Sequence, residues 1–420
     1  MAVKFSYKRI FLLGFGFFGI SIIWGVYNAF VPIFLAEKFH LSPIFIGFFM
    51  TIDNIAALFI QPPVGAWSDR IKTPLGRRIP FILIGAPLSA LAFGLIPFAA
   101  VLPLFVACTS TLLLTMALWR TPVIALMPDI TPSDKRSQAN GIINFMGGIG
   151  GIAAFLAGSA LYKLNTAYPF WLGSGLVLAA SIMVFLFIKE PVQEHEVQVQ
   201  PGMFANLKEV WFSEDKSALR LFLAIFFWFL GYTAIEAFFT LYAKNYLGIN
   251  EADGSRLLGH LSLMFVLFAL AAGVIGSRFG RRHTISVGIV SMAVIMAVMF
   301  FAPVKTLITV LGRLPVLGEI PVISIFLMAA GAAWALININ SLPMVVDMTT
   351  SARLGTYTGL YYLFSTLSAI AGPNINGILI QVTRNNYNSI MILSPLFLLI
   401  SFWLMQGVTR GESDLAPSKG

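Results

Sequence analysis

The chain breaks into twelve long runs with almost no charge, near residues 10–36, 43–67, 79–99, 101–128, 137–163, 168–188, 219–246, 255–277, 284–302, 320–346, 356–380 and 389–408. A run of about 20 apolar residues, rising 1.5 Å per residue as a helix, crosses about 30 Å of hydrocarbon. Lipid offers the backbone no hydrogen-bond partner, so each run must be helical. Hydrophobic residues make up 58% of the chain and charged ones 11%, against about a quarter charged in soluble domains, which excludes a soluble globule. Met1 to Arg9 is basic and leads into Ile10 to Leu35. That run is too long for a signal peptide and lacks a small-residue cleavage pattern, so it is expected to be a retained first span.

The net charge of +9 speaks for membrane orientation and not for nucleic acid, because of where it sits. With the N-terminus inside, the inner segments carry 19 of the 27 Lys and Arg, including Lys4, Lys8, Arg9, Arg70, Lys72, Arg77, Arg78, Arg278, Arg281 and Arg282. The outer segments carry seven: Lys38, Lys163, Lys244, Arg256, Lys305, Arg313 and Arg384. The bias predicts that both termini are cytoplasmic, in a plasma-membrane protein. The longest polar stretch, 189–217, holds Glu194, His195 and Glu196 and reads as a cytoplasmic linker between an N-terminal six-helix bundle, 1–188, and a C-terminal one, 218–420.

Between the second and third runs stands Gly65-Ala66-Trp67-Ser68-Asp69-Arg70, followed by Gly76-Arg77-Arg78-Ile79-Pro80-Phe81. A weaker copy that lacks the Asp, Gly276-Ser277-Arg278-Phe279-Gly280-Arg281-Arg282, follows the eighth run. Other features recur with the same half-chain spacing. Span four ends Pro122-x6-Asp129 with Gly141 beyond, and span ten ends Pro343-x3-Asp347 with Gly359 beyond. This duplication resembles the major facilitator superfamily. The resemblance implies twelve transmembrane helices in two pseudo-symmetric six-helix bundles, with a substrate site between the halves near the midplane. The five residues Ile71 to Leu75 between Asp69-Arg70 and Gly76-Arg77-Arg78 resemble the sucrose-transporter branch of the glycoside-pentoside-hexuronide:cation symporters. So do Gln61-Pro62-Pro63-Val64-Gly65, Pro122-x6-Asp129 and Arg136-Ser137-Gln138-Ala139-Asn140. The branch implies a sugar or glycoside as solute, a disaccharide by preference. In the melibiose branch two carboxylates one turn apart in span two hold a cation. Those positions here are Ala57 and Gln61, and the carboxylate is Asp53, one turn earlier, so protons are expected in place of sodium.

Ionisable groups inside spans are costly and usually mark a pathway. Three stand out: Asp53 in span two, Arg120 in span four and Glu236 in span seven. Nine residues from Asp129 put Arg120 about 13 Å above the inner face. Burial raises a carboxyl pKa and a nearby arginine lowers it, so Asp53 or Glu236 is expected to carry the proton and Arg120 to hold the empty carboxylate. Asp53 ranks first because it shares a half with Arg120. A fixed ion pair that only orients helices is the structural alternative.

For substrate binding the candidates are Trp24, Tyr27 and Asn28 in span one, Asn54 in span two, and Asn140 and Asn144 in span five. Span ten adds Trp334, Asn338 and Asn340, and span eleven adds Tyr361. Asparagines that glue helices and aromatics in interfacial belts are the competing explanation. Asp69, Arg70, Arg77, Arg78, Asp129 and Asp347 lie at the inner face, where ion pairs and helix ends can gate the cavity. The histidines His40, His195, His260 and His283 read as solvated or hydrogen-bonded, and the single Cys108 lies in an apolar run. With no metal-ligand spacing, no nucleophile–base pair and no phosphate-binding loop, the expectation is a non-enzyme that needs no cofactor. It would act as a monomer in the bilayer by secondary transport of a small molecule with protons. A transporter or exporter of another polar solute fits the residues too. A non-transporting membrane sensor fits less well, since carboxylates persist within the spans.

Overall fold

In a computed structural model the described residues are 6–71, 73–131, 136–188, 190, 208, 210–212, 214–349 and 353–412; Asp69, Pro128, Arg136, Ser137, Gln138, Ala234 and Leu354 are described by backbone only. Among them twelve helices are long and apolar enough to cross a membrane. They are Tyr7–Lys38, Pro43–Ser68, Ile79–Phe98, Leu102–Met127, Ala139–Leu164, Tyr168–Phe187, Ser217–Asn245, Glu251–Phe279, Arg281–Phe301, Val322–Val346, Gly355–Val382 and Tyr387–Gln406. Each matches one apolar run, so the protein is an all-α, multi-pass membrane protein. Most of the linker lies outside the described residues.

Prolines shape the helices in two ways. Pro43, Pro80, Pro103 and Pro169 occupy first-turn positions, where their missing N–H has no partner to lose. Span two is also interrupted: Pro43–Phe49 ends at Met50, and Ile52–Arg70 begins after Thr51. At the break the Phe48 carbonyl accepts from the Thr51 hydroxyl at 2.7 Å and from the Thr51 backbone N–H at 3.0 Å. The break puts Asp53 in the first turn of the second segment, where the helix dipole favours a carboxylate.

The described residues fall into two compact units. The first comprises 1–40, 55–195 and 251–259, the second 41–54, 196–250 and 260–420. The beginnings of spans two and eight therefore pack with the unit that is remote in sequence. In the second unit, a Cβ at Gly47 would lie 2.4 Å from the Pro373 carbonyl oxygen and one at Gly377 2.5 Å from that of Pro43. Only glycine permits so close an approach of two helices. In the first unit the starting turns of span eight lie on the end of span five. Lys163 reaches Asp253 at 2.6 Å, the Ser255 hydroxyl donates to the Phe155 carbonyl at 3.2 Å, and Gly259 faces Leu156.

A short antiparallel hairpin, β1 (Val310–Leu314) and β2 (Gly318–Pro321), separates spans nine and ten. The apolar runs leave most of this stretch, 303–319, between them. Its turn is held by His260, whose Nε2 lies 3.1 Å from the Leu317 carbonyl and Nδ1 2.9 Å from the Ser324 hydroxyl. His260 is buried and hydrogen-bonded at both ring nitrogens.

Candidate substrate and coupling site

The two basic loops are built alike. Gly76 (φ +103°) and Gly280 (φ +90°) both adopt the left-handed region, open to glycine at little cost. Each turns the chain so that the next two backbone N–H groups, at the start of a helix, converge on one carboxylate. In the first unit the Glu190 carboxylate accepts from Arg77 N at 2.9 Å, Arg78 N at 2.8 Å and Arg77 Nε at 3.1 Å. In the second, Glu412 accepts from Arg281 N at 2.6 Å and Arg282 N at 3.3 Å. Anions bind well at helix N-termini because free N–H groups and the dipole point the same way.

The same arginines reach the end of the following even-numbered span. Asp129 pairs with Arg77 at 2.9 Å and with Arg78 at 3.1 Å, and Asp347 pairs with Arg281. Arg77, Arg78, Asp129 and Asp347 thus come together as two related clusters. Arg70 is exposed at the end of span two, and the side chain of Asp69 lies outside the described residues. Glu190, Arg281 and Glu412 were missed from sequence. The available signal was that a Glu follows within a few residues of the last span of each half.

Within the spans, Asp53 accepts from the neighbouring Asn54 amide at 2.9 Å. Asp53, Asn54 and Glu236 belong to the second unit and Arg120 to the first. In the first unit the rings of Trp24 and Tyr27 meet edge to face at 5.8 Å. The Trp24 indole N–H is buried without a hydrogen-bond partner among the described residues. Asn28 lies one turn beyond Trp24, half-buried. Asn140 and Asn144 are exposed on one face of span five, with the Asn144 amide donating to the Asn140 carbonyl at 2.9 Å.

The second unit carries an aromatic wall. Tyr232 lies flat on Trp334, ring centroids 3.9 Å apart and 1° from coplanar. Phe229 meets Trp334 edge-on at 5.3 Å and Tyr361 at 6.3 Å. The Tyr361 hydroxyl lies 3.1 Å from that of Ser341. Phe229, Tyr232 and Glu236 share one face of span seven, and Trp334, Asn338 and Ser341 one face of span ten, by their three- and four-residue spacing. Asn340 stands apart. Its amide donates to the carbonyls of Ala272 at 3.0 Å and Leu336 at 2.9 Å, it packs against Gly276, and it ties span eight to span ten.

Twelve apolar helices, charged and aromatic side chains inside them and a repeated charged cluster at one end of each unit define a multi-pass membrane transporter. The family model for the Major Facilitator Superfamily matches residues 13–373 and 261–419; the chain belongs to that superfamily. Among its relatives it is similar to YegT of Escherichia coli (strain K12), provisionally named a nucleoside transporter. The two are 28% identical over 67% of this chain and 65% of that protein. It is also similar to the sucrose transport protein SUC3 of Arabidopsis thaliana, 26% identical over 36% of this chain and 29% of that one. The lactose permease of Citrobacter freundii is 24% identical over 66% and 68%. The matches thus span less than two thirds of the first two relatives, and sugar permeases among the relatives fit the sugar-transporting branch. The crystal structure of the nucleoside transporter NupG superposes with a TM-score of 0.74 at 15% identity, covering 96% of this chain and 99% of that one. A bacterial homolog of the human lysosomal transporter Spinster, inward-facing and occupied, gives 0.75 at 14%, over 96% and 97%. At such identities the likeness concerns the fold.

Proposed function

We propose that the protein is a proton-coupled symporter that takes up a sugar or glycoside by alternating access, in the plasma membrane with both termini cytoplasmic. The observation that carries the reading is the pair of carboxylates inside the spans, Asp53 and Glu236, set in a unit that also holds a wall of aromatic rings. A carboxyl there can load a proton from one side and release it to the other. Sugars need flat apolar faces and many hydrogen-bonding groups. Trp24, Asn28, Asn54, Asn140, Asn144, Asn338 and Tyr361 supply both kinds of contact, whereas Tyr27 is buried at 1% exposure and the Asn340 amide is taken up by backbone carbonyls. The Arg77, Arg78 and Asp129 cluster and its Asp347 counterpart act as gates, and Asp69 and Arg70 of the same loop motif share that role. The sucrose-type loop and the sugar permeases among the relatives favour a sugar. YegT favours a second reading, a nucleoside, through the same site.

Proteoliposomes with a trapped pH dye test both readings. A disaccharide added outside should acidify the interior, and the signal should vanish in Asp53→Asn or Glu236→Gln. Silence for every sugar with a response to nucleosides would replace the first reading by the second. A solute-driven signal unchanged in both variants would remove the proposed coupling sites.

A further inference from the structure

Glu236 sets the direction in which its helix face looks. A carboxylate turned to lipid would be prohibitively placed, so the Phe229, Tyr232 and Glu236 face of span seven must look into the protein. On that face Tyr232 is half-buried, while Trp334 behind it is 4% exposed. Tyr232 covers one face of the indole and Phe229 approaches its edge, so little of Trp334 is left for a ligand. The Tyr232 ring has one side on Trp334 and keeps accessible surface. Phe229 is half-buried as well, but it lies two turns from Glu236 whereas Tyr232 lies one turn away, so the accessible ring beside the carboxylate is that of Tyr232.

We infer that Tyr232 is the ring on which the solute docks, with Trp334 as the positioning residue that holds it flat. The ligand chemistry is a hydroxylated sugar ring: its C–H face extends the Trp334–Tyr232 stack, and its rim hydroxyls meet the phenol. A free glycoside and the ribose of a nucleoside both present that chemistry. The inference rests on the transport reading above and deepens it by naming the specificity-determining contact.

The test uses the full-length protein in proteoliposomes, with sucrose and lactose in one arm and uridine and adenosine in the other. Tyr232→Leu should raise KM for the transported solute about tenfold, the scale of one lost ring contact, with the maximal rate largely kept. Tyr232→Phe should stay within about threefold, since the stack survives. In a Cys108→Ser background, Tyr232→Cys should react with a membrane-impermeant thiol reagent and be protected by the solute, whereas Trp334→Cys should react little. The arm in which protection and the KM change appear identifies the source of the sugar ring. Wild-type transport with KM unchanged in Tyr232→Leu and no protection of Tyr232→Cys would overturn this inference alone. No wild-type transport and no protection in either arm would overturn it together with the function it rests on.

Discussion

Glu190 offers the sharpest quantitative test of how the basic loop is built. Its side chain is 2% exposed and accepts the three hydrogen bonds from Arg77 and Arg78. Glu190→Gln keeps the shape but removes the charge and turns one oxygen into a donor that faces other donors. Hydrogen bonds to a charged group contribute about 1.5–3 kcal/mol each against about 1 kcal/mol for neutral ones. A carboxylate at a helix N-terminus adds about 0.5–1 kcal/mol. Because the three bonds are not independent, the expected loss is about 3 kcal/mol. Gly76→Ala should reach a similar loss by another route. Its φ of +103° strains an alanine by about 1–2 kcal/mol, and its Cβ would lie 2.5 Å from Glu190 Oε2, displacing the carboxylate. The two substitutions should therefore combine to clearly less than their sum. Reversible unfolding by SDS in mixed micelles, followed by tryptophan fluorescence, gives the four free energies of the cycle. A Glu190→Gln variant within about 0.5 kcal/mol of wild type, or an additive double variant, would refute the account.

Asn340→Ala should cost about 2–3 kcal/mol of stability, from two buried amide bonds and the contact with Gly276, with KM for the solute unchanged; a raised KM at unchanged stability would put Asn340 in the binding site. A Cβ built at Gly259 lies 3.3 Å from that of Phe155, near the spacing a disulfide requires. Phe155→Cys with Gly259→Cys in a Cys108→Ser background should therefore cross-link on oxidation. If the ends of spans five and eight part during the cycle, the cross-link should stop uptake until reductant is added, and full transport by the cross-linked protein would show that they stay together. The hydrogen bond from Arg410 and that from the Ser217 backbone hold the Asp215 carboxyl below its ordinary pKa. The folded value is the lower one, so the stabilisation is present above the ordinary Asp value of about 3.9 and fades as pH falls through the folded value. The gap between wild type and Arg410→Ala should follow that course and stay small, because both side chains are about half exposed; a gap that widens in acid would contradict it.

The twelve spans were legible in the sequence to within a turn at each end, because the rule that makes them is local: lipid tolerates no unpaired backbone, and about 20 apolar residues satisfy it alone. The loop motif was legible for the same reason, since its glycine and arginines adjoin one another. Their acceptors were not. Glu190 lies 113 residues from Arg77 and Glu412 131 from Arg281, and only the packing of the last span in each half against the start of another brings them together. The hairpin and the clasp of His260 on it were equally invisible, being held by groups from three separate segments. Asn338 and Asn340 looked equivalent in sequence, but two residues turn a helix by about 200°, and the neighbouring helix decides which side chain is spent on packing. Nothing local in the sequence sets Tyr232 apart from Trp334. Which ring keeps an open face depends on what lies behind it, and that is decided when separate helices meet.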